Sequence, residues 1–217
     1  MSNKVFIFDL DGVIVDTAKY HYLAWRNLAN DLGFDFTKAQ NEQLKGISRV
    51  RSLEILLDIG KIELSEDKKQ KLLTEKNQEY LEYVNNMTAD EILPGIKDVL
   101  DFLDKNNIKY ALGSASKNAP QILKKVGLFE RFTAIVDGNN VSKAKPDPEV
   151  FLIAAKKLNK SPNECIVIED ASAGIQAANR ANMTSVGIGD KIVLSEADYI
   201  FANTNELSIS FIKKLIA

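Results

Sequence analysis

The sequence predicts an α/β protein whose parallel sheet carries helices on both faces and is interrupted, directly after its first strand, by a helical insertion. Three observations predict this. Residues 5–8 read Val-Phe-Ile-Phe and run into Asp9-Leu-Asp11-Gly12, the pattern of a strand buried on both faces that opens into a loop. From about residue 18 to 88 no strand pattern is legible, and apolar residues recur at helical steps. From Pro94-Gly95 onward, strand and helix patterns alternate, which implies right-handed crossovers and a parallel sheet.

The elements follow in order. Tyr22, Trp25, Leu28, Ala29 and Leu32 mark a helix that stops at Gly33. Leu53, Leu56 and Leu57 mark another, ending near Gly60. Ser65 stands as the N-cap of a long polar helix containing Leu72, Leu73, Tyr80 and Leu81. Beyond Gly95 come helix 96–105, strand 108–114, helix 119–126, strand 134–136, helix 148–158, strand 166–169, helix 172–181, strand 185–188, a short strand near 199–201, and a terminal helix 205–216. Residues 1–16 and 90–217 therefore read as one discontinuous α/β core, with 17–89 as an inserted helical domain. Its two connections flank the carboxyl edge of the sheet, where such a domain acts as a lid that expels water.

Composition narrows the function. The 217 residues are 45% hydrophobic and 27% charged with a formal net charge of -2, so no basic excess points to a nucleic acid or a membrane surface as partner. No apolar run approaches the roughly 20 residues needed to span a bilayer. The short N-terminal lead lacks the apolar core of a secretory signal, and the expectation is a cytoplasmic protein. The one cysteine, Cys165, sits in an apolar strand pattern and reads as a buried small hydrophobe. The one histidine, His21, excludes a multi-histidine metal site.

In an open α/β sheet, ligands bind outside the carboxyl ends of the strands. Asp9 and Asp11, two residues apart, are expected to project the same way there, with Gly12 allowing the tight exit. Neighbouring carboxylates repel, so a cation belongs between them, and Mg²⁺ is the hard divalent ion that also binds phosphates. The plainer alternative is that the pair begins a turn. Ser114, at the end of the second core strand, can bond a phosphoryl oxygen. Ser116 and Asn118 either cap the next helix or leave its N–H groups to an anion. Lys145 precedes a proline-fixed turn that aims its side chain, which makes it a better phosphoryl-neutralising group than Lys143. Glu169-Asp170 is a second acid pair at a strand end; alternatively Asp170 caps helix 172–181.

Asp9-x-Asp11-Gly12, Ser114, Lys145 and Glu169-Asp170, in this order and spacing, resemble the haloacid dehalogenase superfamily of phosphotransferases, with its Rossmann-like core and inserted helical cap. The resemblance covers the whole chain. It implies Asp9 as nucleophile, Asp11 as general acid–base, and Ser114 and Lys145 on the transferring phosphoryl group. It also implies Mg²⁺ held by Asp9, the Asp11 backbone carbonyl and Asp170, with Glu169 assisting.

Within that superfamily the insertion is similar to that of sugar-phosphate mutases. The similar segments are Thr17-Ala-Lys-Tyr-His21 with Trp25, Asn41-Glu-Gln-Leu-Lys45-Gly46-Ile-Ser48-Arg49, and Lys76-Asn77, together with Ser114-Ala-Ser116-Lys117-Asn118 in the core. This resemblance implies that Arg49, Ser116, Lys117 and Asn118 grip a distal phosphate. It places Thr17, His21 and Trp25, at the start of the cap, on the substrate together with Lys45, Gly46 and Lys76, and gives His21 a part in coupling cap closure to Asp11. The implied reaction converts β-D-glucose 1-phosphate to glucose 6-phosphate, with β-D-glucose 1,6-bisphosphate as intermediate and activator. For Arg49 and Lys76 the alternative is a solvated helix face, and for Trp25 it is cap packing. Two further readings stay open: a sugar-phosphate phosphatase on the same scaffold, and a phospho-ligand sensor, against which the intact nucleophile argues. The loop Asp137–Ala144 and the short segment Gly189-Asp190-Lys191 depart from the mutase pattern and bear on which sugar is used. A single-lid design needs no partner chain, so a monomer is expected.

Overall fold

A computed structural model describes residues 3–216. Six parallel strands form one sheet in the order β3-β2-β1-β4-β5-β6: β1 Val5–Phe8, β2 Tyr110–Gly113, β3 Ala134–Val136, β4 Cys165–Glu169, β5 Thr184–Ile188 and β6 Tyr199–Phe201. The order reverses at β1, which pairs with β2 on one side and β4 on the other, Phe8 lying opposite both Leu112 and Ile168. From β1 the chain builds outward through β2 and β3 on one side, then crosses back to β4, β5 and β6 on the other, and this reversal opens a crevice at the strands' carboxyl ends.

Side chains alternate across each strand, so the two faces build separate apolar layers. Phe6 and Phe8 join Leu112, Ile166 and Ile168 in one layer, covered by α5 (Ile96–Lys105), α6 (Ala119–Lys125) and α9 (Ile209–Ile216). Val5 and Ile7 join Ala111 and Val167 in the other, covered by α7 (Glu149–Lys157) and α8 (Ser172–Arg180). Cys165 lies fully buried in that second layer, where burial pushes its thiol up to about 11.

Between β1 and α5 the chain forms α1 (Ala18–Asp31), α2 (Lys38–Asn41), α3 (Arg49–Gly60) and α4 (Glu66–Asn85). Trp25, Leu28, Phe36, Leu53, Leu56 and Leu73 enclose a third apolar cluster within these helices. The last turns of α4 belong instead to the first sheet layer, through Tyr80 and Val84. The two connections pair with each other: the Asp16 amide donates to the Glu91 carbonyl at 3.0 Å and Leu93 to Ile14 at 2.9 Å. Glu91 also accepts from Lys19 Nζ at 2.7 Å and Tyr20 Oη at 2.6 Å.

Some local expectations change. Ser65 occupies the N-cap of α4 but makes no side-chain cap bond, whereas Thr37 and Ser48 cap α2 and α3. The terminal helix begins at Ile209, later than expected, because residues 204–206 form a separate 3₁₀ turn and Leu207 is buried. The helix α2 and the 3₁₀ turn after it went unread, since a four-residue helix carries too little periodicity.

Candidate active site

The reversal at β1 brings three strand ends together. The Asp9 amide donates to the Ile168 carbonyl at 2.9 Å, so the loops after β1 and β4 leave the sheet side by side. Carboxylate oxygens of Asp9, Glu169 and Asp170 lie within 4.8 Å of one another. Lys145 Nζ sits among them, 2.6 Å from Asp9 Oδ1 and 2.7 Å from Glu169 Oε1, with all three side chains almost wholly buried. Burial pushes the Asp9 carboxyl up to about 7 even though Lys145 opposes this. Burial alone would lower the Lys145 ammonium, but Asp9 and Glu169 outweigh it and raise it. Asp170 is raised well above the usual carboxylate range, by burial first and then by Glu169 and Asp9. Lys145 already neutralises Asp9 and Glu169, whereas Asp170 meets Lys45 Nζ only at 3.8 Å. Three hard oxygen donors with one carboxylate this poorly compensated fit a divalent cation such as Mg²⁺.

Two glycines make this crowding possible. A Cβ at Gly174, near the start of α8, would fall well inside van der Waals contact of Glu169 Oε1, and one at Gly12 would do the same to Asp170 Oδ2. Gly12 also holds φ at +83°, a conformation few other residues adopt.

Asp11 departs from the expected same-way projection. The strand ends at Phe8, so its alternation does not reach Asp11. The Asp11 amide donates to Asp9 Oδ2 at 3.1 Å, while its carboxylate turns towards the insertion and accepts from Thr17 Oγ1. The Asp11 carboxylate is therefore outside the three-acid cluster. Burial raises its pKa. Thr17, expected at the substrate, is instead fully buried behind Asp11.

His21 Nε2 lies 3.9 Å from Asp11 Oδ1, and Nδ1 lies 2.8 Å from Lys76 Nζ. Burial, then Lys76 and Arg49, hold the imidazole well below its ordinary pKa. With the ring neutral, Nδ1 accepts from Lys76 and the ring proton sits on Nε2, facing Asp11. Lys76 is no solvated helix residue: it is 2% exposed, packed 4.6 Å from the Trp25 ring centroid and 4.9 Å from that of Tyr80. Burial, then the Arg49 charge, lower its ammonium to about 7.

A cavity of about 440 Å³ joins the acidic cluster to the helical insertion. Asp9, Asp11, His21, Trp25, Lys45, Gly46, Arg49, Lys76, Ser114, Ser116, Lys117, Asn118, Lys145 and Asp170 all contribute to its wall. Trp25 is 2% exposed and belongs to the cap's apolar cluster, so packing accounts for most of its surface. Gly46 holds φ at +71°, and a Cβ there would meet that of Ala171 at 2.7 Å, so the loop of the insertion rests directly on the acidic loop. Burial lowers the pKa of Arg49. Asn118 Nδ2 donates to Asn77 Oδ1 at 3.0 Å, tying the core's loop to α4.

The capping alternatives resolve locally. Asn118 occupies the N-cap of α6 without a side-chain cap bond, while in the loop before the helix Ser114 Oγ accepts from the Ser116 amide at 3.1 Å and Ser116 Oγ from the Asn118 amide at 3.3 Å. Asp170 does not cap α8; Glu169 Oε2 instead accepts the Ala171 amide at 2.7 Å. Lys143 is 70% exposed and pairs with Asp147, while Lys145 is buried at the centre. Ser52, Gln70 and Thr74 also line the cavity and carry no signal in the motifs above, whereas Asn41 heads the loop segment already singled out. Stepping back from Lys76 by helical threes and sixes leads to Leu73 and Gln70, a signal that could have found that face of α4.

A model of haloacid dehalogenase-like hydrolases matches residues 3–182. Beta-phosphoglucomutase of Bacillus subtilis is 44% identical over 211 residues, covering 96% of this chain and 93% of that protein. A crystal structure of beta-phosphoglucomutase from Clostridium difficile superposes with a TM-score of 0.92 at 47% identity, covering 98% of this chain and 96% of that one. Fructose-1-phosphate phosphatase YqaB of Escherichia coli is 32% identical over 184 residues, 84% of this chain and 94% of that protein.

Proposed function

The chain belongs to the haloacid dehalogenase-like hydrolases, and on that footing we propose that it is a β-phosphoglucomutase, interconverting β-D-glucose 1-phosphate and glucose 6-phosphate. The observation that carries this reading is the cavity's double character: its wall carries both the nucleophile with its acids and, outside that cluster, a second set of cationic side chains, Arg49, Lys76 and Lys117. A phosphosugar with a phosphate at each end suits such a cavity. The likeness in sequence to beta-phosphoglucomutase of Bacillus subtilis supports the mutase over the phosphatase reading.

Asp9, Glu169 and Asp170, with the Asp11 carbonyl, would hold Mg²⁺, which supplies positive charge to the phosphoryl oxygens when bound. The phosphorylated Asp9 gives its phosphoryl group to the sugar's 6-hydroxyl while Asp11 takes that hydroxyl's proton, forming β-D-glucose 1,6-bisphosphate. The bisphosphate turns over. Asp9 then attacks the phosphorus at the 1-position, the P–O1 bond breaks, and Asp11 returns the proton to O1, releasing glucose 6-phosphate. Lys145 and Ser114 offset charge on the transferring group. Arg49 suits bidentate binding of the other phosphate, with Ser116, Lys117 and Asn118 beside it. The helices between residues 17 and 89 close over the sugar and keep water from the aspartyl phosphate. On this reading the protein works as a monomer in the cytoplasm.

The test is ³¹P NMR of the protein with β-D-glucose 1-phosphate, Mg²⁺ and a trace of the 1,6-bisphosphate. Glucose 6-phosphate with little inorganic phosphate is expected. Inorganic phosphate as the main product would make it a phosphatase. Arg49→Ala is expected to cripple the mutase step while leaving a small donor such as acetyl phosphate usable; equal loss with both would remove Arg49 from the distal-phosphate role.

A further inference from the structure

Tyr80 lies on α4, fully buried, between the helical insertion and the sheet layer it packs on. Its ring stacks on His21 with centroids 4.1 Å apart and planes at 19°. Among the described residues, its hydroxyl oxygen is the one buried side-chain polar atom without a hydrogen-bond partner. Leaving such a group unpaired costs about 1–3 kcal/mol, and phenylalanine would fill the same space without that cost. Packing on His21 therefore explains the ring but not the hydroxyl. Tyr20 and Tyr110 show the usual outcome in this chain, donating to Glu91 at 2.6 Å and to Asp104 at 2.8 Å.

Asp11, Arg49 and Tyr20 act on the Tyr80 hydroxyl by their charge, and Thr17 faces it as a hydrogen-bonding group that stops short of bonding geometry. Arg49 carries donors only, so the acceptors in that set include Thr17 Oγ1 and the Asp11 carboxylate. Thr17 has a single hydroxyl proton and gives it to Asp11 Oδ1, which leaves lone pairs on Oγ1. We propose that Tyr80 is a positioning residue for Asp11: with a phosphosugar in the cavity its hydroxyl donates to Thr17 Oγ1, and the chain Tyr80–Thr17–Asp11 fixes the carboxyl that exchanges protons with the sugar oxygens. The orphaned hydroxyl is then the resting state of a bond completed during turnover, a bond that a phenylalanine could not make. This inference rests on the role given to Asp11 above.

The experiment compares the native protein, Tyr80→Phe, Thr17→Val and the double variant. It measures thermal unfolding, kcat and KM for β-D-glucose 1-phosphate with Mg²⁺ and the 1,6-bisphosphate, and phosphoenzyme formation from acetyl phosphate. Tyr80→Phe is expected to unfold no earlier than the native protein, to keep KM within about twofold, and to lose about tenfold in kcat, the effect of one hydrogen bond. Phosphoenzyme formation from acetyl phosphate, whose leaving group needs no proton, stays unchanged. In the Thr17→Val background the Tyr80 substitution adds nothing further. A Tyr80→Phe protein with native kcat overturns the proposal, as does a loss that multiplies independently with that of Thr17→Val or that tracks a fall in unfolding temperature. If the native protein releases inorganic phosphate instead of glucose 6-phosphate, the mutase reading fails. The same four proteins then test Tyr80 on hydrolysis, where Asp11 serves the same leaving oxygen.

Discussion

Lys145 Nζ lies 2.6 Å from Asp9 Oδ1 and 2.7 Å from Glu169 Oε1, and one buried ammonium thereby holds together acids at the ends of two strands. Removing one partner of a buried charge set leaves the others uncompensated, at a cost of about 3–5 kcal/mol. Lys145→Met is expected to lower unfolding stability on that order, measured in urea. Its kcat is expected to fall by at least about a hundredfold, because the phosphoryl oxygens lose a preorganised charge.

The same burial makes the metal-free protein sensitive to pH. The Asp9 carboxyl is raised from an ordinary 3.8 to about 7. Between those values the folded state binds a proton that the unfolded chain has released, so stability falls as pH rises through this window. Below it both states are protonated and the contribution is fully present. Unfolding temperature in EDTA is expected to drop from pH 5 to pH 8. Asp9→Asn is expected to flatten this fall, and Mg²⁺ to reverse part of it by favouring the ionised carboxylate. A native protein with a fall no steeper than that of Asp9→Asn would contradict the assignment.

Gly174 stands where any side chain would collide with the Glu169 carboxylate. Alanine in a helix is ordinarily better than glycine by about 1 kcal/mol. Here Gly174→Ala is expected to do the opposite, displacing Glu169 from Lys145 and from the Ala171 amide. Calorimetric titration with Mg²⁺ is expected to show affinity at least about tenfold weaker, the scale seen when partners that orient metal ligands are lost. Gly33→Ala is the control, because a Cβ there meets nothing within 4 Å and only the positive φ is strained.

Lys76 is buried with its ammonium lowered to about 7 from 10.5. Between those values the unfolded chain binds the proton and the folded protein does not, so this residue's contribution to stability rises with pH across that window. At pH 7 and below, its burial costs the fold the full penalty. Lys76→Met is therefore expected to be more stable than the native protein at pH 6.5, by a few kcal/mol at most. That advantage is expected to shrink towards pH 10, while KM for the sugar phosphate rises. Chemical denaturation across pH measures the first effect and steady-state kinetics the second.

Much of this architecture is a local matter of the chain. An apolar run such as Val5–Phe8 can only be satisfied inside a sheet, and regular helix and strand periods persist whatever packs against them, so the strand–helix alternation and the helical insertion were legible. The acids Asp9, Glu169 and Asp170 were legible too, because a charged residue at the end of an apolar strand has few structural reasons to be there, and Lys145 was legible from the proline-fixed turn that follows it. What a one-dimensional reading lacks is direction and distance. It sent Asp11 the same way as Asp9, whereas the strand ends at Phe8 and the loop turns the carboxylate to Thr17. It left Lys76 with a choice between solvent and substrate, which was decided by the Trp25 and Tyr80 rings that close on it from α1 and α4. It passed over Gly174 and Tyr80 altogether: a missing side chain matters only through what would collide with it, and an unpaired hydroxyl only through the partners that are not there. Local sequence determined which groups this protein carries to the sheet edge; the packing of its loops and helices, over separations from 6 residues for Asp11 and Thr17 to 136 for Asp9 and Lys145, decided which of them touch, and so what each can do.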